Sequence, residues 1–123
     1  MLLELIMSKN TLQKNRNSIN LNVQVALFQE DGIWVAYCPA LEVSSYGDDQ
    51  SEAKEAFEEA MQIFLSETDR KGTLEKYLLK LGWQLQQKPK PIYNQPHLSL
   101  QENRRLLKKS PQIYNERIAI PVA

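Results

Sequence analysis

The stretch from Tyr37 to Leu65, YCPALEVSSYGDDQSEAKEAFEEAMQIFL, leaves the chain little freedom. A strand, a tight corner at Tyr46-Gly47-Asp48 and a long helix follow one another with almost no linker, so each must pack on the last. Asp49 stands three positions before Glu52. At that spacing an N-cap side chain and an N3 carboxylate each satisfy a free backbone N–H, which predicts a helix starting near Gln50. Ala53, Ala56, Phe57, Ala60, Met61 and Phe64 follow the i, i+3, i+4, i+7, i+8, i+11 series of a single apolar stripe. Such a stripe needs a sheet beneath it: the alanines let the backbones approach, and Phe57 and Phe64 fill the gaps. Arg70-Lys71-Gly72 supplies basic residues for the last turn and a glycine stop. Gly47 is expected to take a positive φ at the corner, which would make Gly47→Val one of the worst changes there.

Alternation places the strands. Leu21, Val23, Val25 and Leu27 share one face of a first strand, and Glu30-Asp31-Gly32 makes a hairpin turn. Ile33 to Cys38 returns with apolar residues on both faces, as a central strand does. Pro39-Ala40 interrupts, and Leu41 to Ser45 forms a third strand. Leu74, Tyr77, Leu78 and Leu81 mark a short helix that Thr73 can cap and Gly82 can end. Trp83 and Leu85 then alternate as a fourth strand. Residues 88–96 hold three prolines and read as an extended, exposed connector. Ser99 and Glu102 repeat the capping-box spacing before a short helix, and Tyr114 to Val122 alternates as a last strand. That strand needs an edge, either on its own sheet or on a second copy of the chain. The predicted fold class is α+β: a β-β-β-α-β sheet with helices on one face, then a short helix and a strand. Residues 1–20 read as a mobile tail, 21–87 as the folded domain and 88–123 as linker, helix and strand.

With 123 residues and 42% apolar content, one core needs no disulfide staple, and the single cysteine forms no internal one. That fits a reducing, cytoplasmic setting. No apolar run reaches the roughly 20 residues that span a bilayer. Fifteen bases and fifteen acids cancel overall but are segregated. Residues 48–69 carry eight acids against Lys54, whereas residues 70–117 carry eleven bases against three acids. Solvated helix faces account for such charge on their own.

The reactive groups do not assemble a catalytic site. Cys38 and the only histidine, His97, are far apart in sequence, and a cysteine at a strand end reads as a packed apolar residue. Asp48, Asp49 and Glu52 could ligate a hard cation, but Asp49 and Glu52 are already engaged as helix caps. Two-metal phosphoryl chemistry needs carboxylates converging from several strands, and Asp31 and Glu42 each stand alone. Arg104, Arg105, Lys108 and Lys109 lack the interleaved aromatics of a base-stacking surface. No cofactor or metal is expected.

At Val35-Ala-Tyr-Cys-Pro-Ala-Leu and Tyr46-Gly-Asp-Asp-Gln-Ser-Glu-Ala53 the chain resembles the HicB family, antitoxin-like partners of the small RNA-cleaving toxin HicA. Pro39, Leu41, Gly47, Asp48, Glu52 and Ala53 match that family's motif, with Asp49 where threonine is usual. The resemblance covers roughly residues 21–87. It implies a partial ribonuclease-H-like fold and a dimeric, toxin-binding protein. Many members end in a helix-turn-helix or ribbon-helix-helix that reads DNA, and this chain departs from them there, so direct DNA binding is not expected. The resulting expectation is a non-catalytic, homo-oligomeric module that binds a small basic HicA-like toxin through its acidic helix face. Asp48, Glu55, Glu58 and Glu59 supply that contact, with Tyr46 as an aromatic anchor. Two alternatives are a residual metal-dependent nuclease or hydrolase on the same scaffold, and a self-assembling structural protein.

Overall fold

A computed structural model describes residues 10–86, 91–94 and 100–122. Seven strands and three helices occur among them: β1 Thr11–Lys14, β2 Ser18–Glu30, β3 Ile33–Cys38, β4 Val43–Gly47, α1 Gln50–Lys71, α2 Leu74–Lys80, β5 Gln84–Gln86, β6 Ile92–Asn94, α3 Leu100–Leu107 and β7 Gln112–Pro121. The strands form one sheet in which every ladder is antiparallel, so the protein is α+β.

β2 is its spine. β7 pairs along it from Ser18↔Pro121 to Leu27↔Gln112. Ala26 and Leu27 also pair with β3, and Ile19 to Asn22 also pair with β1. β7 therefore holds one edge of β2 while β1 and β3 share the other. β4 extends the sheet beyond β3, and β6 and β5 extend it beyond β1.

The expected local signals form as read. Asp31 and Gly32, at φ 53° and 80°, make the left-handed two-residue turn that joins β2 to β3. The Asp49 side chain accepts a hydrogen bond from the Glu52 N–H at 2.8 Å, so α1 begins at Gln50. Gly72, at φ 70°, ends it. Ala53, Phe57, Met61 and Leu65 are its buried residues; they pack on Leu21, Val23, Val25 and Leu27 of β2 and on Ala36 and Cys38 of β3. Phe64 is half-buried and meets Tyr77 edge-on at 5.1 Å. Leu74 and Leu78 bring α2 to the same core.

A second, smaller core lies on the opposite face, where Leu106 and Leu107 of α3 pack on Ala26, Phe28, Val35, Tyr37 and Ile113. Helices thus cover both faces rather than the one expected, because the apolar residues on both sides of β3 require it.

Several expectations are corrected. Within the stretch read as a tail, Thr11–Lys14 forms β1 between β2 and β6, anchored by Leu12 at 1% exposure. The buried Asn10 side chain accepts a hydrogen bond from the Gln24 N–H at 2.7 Å. One apolar side chain and one amide suffice once two strands flank them. The Pro-rich connector likewise contains a strand, β6, because Tyr93 is buried in the main core. Within the stretch read as linker, helix and strand, Ile92–Asn94 and Gln112–Pro121 are therefore built into the sheet. Of the two edges left open for the final strand, it takes the one on β2 of its own chain. Thr73 precedes α2 without a side-chain cap; its hydroxyl instead lies 3.5 Å from the Thr68 carbonyl oxygen. The box at Ser99 lies outside the described residues.

Gly47 is not among the positive-φ glycines, which are Gly32, Gly72 and Gly82. What requires glycine is proximity: a Cβ there would stand 2.4 Å from the Ala53 nitrogen and 2.8 Å from the Glu52 carbonyl carbon. The first turn of α1 rests directly on the end of β4.

The Pro39–Glu42 corner is tied down from the helical side. Trp83 Nε1–H donates to the Ala40 carbonyl at 2.9 Å, and the Tyr77 hydroxyl donates to the Leu41 carbonyl at 2.7 Å. Buried carbonyls that no strand can reach are thereby satisfied.

Candidate binding surfaces

Glu55, Glu58 and Glu59 lie on the solvent side of α1, exposed, and none forms an ion pair with a described residue. Glu55, Glu59 and Ile63 fall on one line at four-residue spacing, and Ile63 is 58% exposed. Sequence reasoning missed Ile63, although its position off the apolar stripe was a usable signal. Asp48 is exposed immediately before the Asp49 cap.

Tyr46 does not join them. Alternation along β4 turns Ser45 and Gly47 toward α1 and turns Ser44 and Tyr46 to the other face, where Tyr46 is 61% exposed. The structure brings four of the five predicted contact residues to α1 and its N-terminus and leaves the fifth across the sheet.

Beside the acidic face, Glu116 of β7 sits near Glu58. Burial and then the Glu58 charge push its pKa above the ordinary carboxyl value, and Lys54 partly opposes them. Lys54 itself lies over the Tyr114 ring, 4.9 Å from its centroid. A carboxyl whose folded pKa is raised stabilises most below its unfolded pKa, and that contribution is lost as pH rises through the folded value. Glu116→Gln is therefore expected to raise the melting temperature modestly at pH 7 and to leave it unchanged at pH 3. Thermal unfolding at the two pH values checks this.

Cys38 is buried, and desolvation pushes its thiol up to about 12, so it stays protonated and packs as an apolar side chain. His97 lies outside the described residues. Among the described residues no three His, Cys, Asp or Glu side chains converge on a point that could hold a metal ion. No described helix is long and apolar enough to cross a membrane.

On the second face lies a groove of about 380 Å³ between the sheet and α3. Phe28, Val35 and Tyr37 form its apolar floor, Ser44 and Tyr46 one lip, and Arg105 and Lys109 the opposite wall. The Ser44 and Tyr46 hydroxyls are hydrogen-bonded at 3.2 Å. Lys109 is paired with Glu30 and lies over the Phe28 ring at 5.5 Å, whereas Arg105 forms no ion pair with a described residue. The doubly apolar pattern of β3 signalled a covered second face; nothing in the sequence places α3 on it.

No family pattern, curated protein or solved structure matches this chain.

Proposed function

We propose that this chain is a non-catalytic binding module, the antitoxin of a HicA/HicB-type pair, which neutralises a small basic RNA-cleaving toxin by docking the outward side of α1 on it. The observation carrying this reading is the row Glu55, Glu59 and Ile63 with Glu58 beside it: carboxylates free of ion pairs with described residues, around an exposed apolar side chain. Carboxylates steer and select a cationic partner, while a desolvated apolar anchor supplies affinity at the centre of a contact. Asp48 extends the acidic surface toward the helix N-terminus. Tyr46 lies on the other face and is not part of this contact.

Titration of a HicA-like toxin at low salt tests the proposal. Saturable binding is expected to weaken with added salt, and Glu55→Lys, Glu58→Lys and Glu59→Lys together are expected to weaken it by about tenfold or more. Absence of binding at low salt, or binding indifferent to the triple change, overturns it.

A further inference from the structure

Ser44 and Tyr46 belong at once to the groove and to a sheet edge that no other described strand covers. In the β2–β3 hairpin, Glu30↔Ile33 closes a two-residue turn, so Ile33, Val35 and Tyr37 hydrogen-bond toward β2. Trp34, Ala36 and Cys38 therefore bond toward β4, through Gly47, Ser45 and Val43. The N–H and C=O groups of Ser44 and Tyr46 are left pointing away from the sheet, and β4 pairs with no described strand other than β3. An unpaired edge is a template for another chain, and here it borders an apolar recess that side chains on alternate residues can enter.

The chemistry of the recess selects what enters. Ser44, the smallest residue on the lip, pairs with the half-buried Tyr37, so an apolar side chain entering over Ser44 meets the Tyr37 ring, while Val35 and Phe28 lie deeper, under α3. Lys109 is already paired with Glu30, which also lines the groove, so the exposed Arg105 guanidinium is the wall cation without an ion pair to a described residue, and its planar donor fork suits a carboxylate. Glu42, at the rim, holds a left-handed backbone at φ 56°, local strain of the kind that gathers at binding sites.

We propose that the β4 edge and the adjoining groove bind an extended, acidic peptide segment of another protein as an additional strand, with an apolar side chain passing Ser44 to meet Tyr37 and a carboxylate two residues along on Arg105. This site lies across the sheet from the acidic face of α1 and selects the opposite charge, so either one can fail without the other.

The test is a titration of the ¹⁵N-labelled full chain with the end-capped hexapeptide Thr-Leu-Thr-Glu-Thr-Thr, whose leucine and glutamate, two residues apart, share one face of a strand. Saturable binding is expected, with shifts confined to β3, β4 and α3 and with slowed hydrogen exchange at the Ser44 and Tyr46 amides. The same peptide with lysine in place of glutamate is expected to bind at least about tenfold more weakly, and Arg105→Glu to lower affinity for the acidic peptide about tenfold. Tyr46→Ala, at an exposed position, is expected to weaken the same complex, whereas Glu58→Lys leaves it unchanged. No saturable binding at millimolar peptide, equal binding of the lysine peptide, shifts centred on α1, or unprotected Ser44 and Tyr46 amides would each overturn the proposal.

Discussion

Gly47→Val is expected to be among the most destabilising single substitutions in this chain, and the cause is space rather than backbone conformation. The atoms a Cβ would meet are the backbone nitrogen of Ala53 and the carbonyl carbon of Glu52, neither of which can rotate aside as a side chain end can. Relief requires lifting the first turn of α1 off β4, which pulls Ala53 and Phe57 from the core. Overpacking costs about 1–3 kcal/mol where side chains can adjust, so Gly47→Ala belongs at the upper end of that range and Gly47→Val beyond it. At roughly 4 °C per kcal/mol, valine is expected to lower the melting temperature by more than about 12 °C. Gly32→Ala is the comparison. Gly32 has φ +80° and open space around it, so its substitution carries only the left-handed penalty of about 1–2 kcal/mol. If Gly32→Ala proves costlier than Gly47→Val in thermal unfolding, close approach is not what selects glycine at the corner.

Trp83→Ala is expected to cost about 3–5 kcal/mol, the range for emptying a large buried aromatic site. Trp83 is 2% exposed and heads the fully buried side chains by size. The loss has two parts that a second substitution separates. Trp83→Phe keeps most of the apolar contact but strands the buried Ala40 carbonyl, at about 1–3 kcal/mol. Guanidinium denaturation followed by circular dichroism reads both. A Trp83→Phe midpoint equal to that of the parent would mean that the indole hydrogen bond does not hold the corner.

What the sequence made legible was chiefly local. The cap at Asp49, the stop at Gly72 and the Asp31-Gly32 turn depend on residues a few positions apart, and each appears where the spacing put it. The α1 stripe was readable too, with Leu65 rather than Phe64 as its fully buried end, a shift of one residue around the helix. Features that depend on distant partners were not readable. Thr11–Lys14 has no strand signal of its own and becomes one because β2 and β6 stand on either side. The Pro-rich segment looked solvated because prolines dominate it, yet Tyr93 outweighs them by reaching the core. At the candidate surfaces, the glutamates of α1 were legible as the polar side of an amphipathic helix. Tyr46 was misgrouped because its nearness in sequence concealed the two-residue alternation that sends it across the sheet.

The ladder between β2 and β7 joins residues made early to residues made late: Ser18 meets Pro121. On the ribosome, β2 and the long helix emerge first, and the flank of β2 from Ser18 to Leu27 must wait, without its hydrogen-bonding neighbour, until β7 has been synthesised. A nascent chain stalled after α2 would display that flank to proteases and to other nascent chains. The time taken to translate from α2 to β7 therefore sets how long that flank is vulnerable.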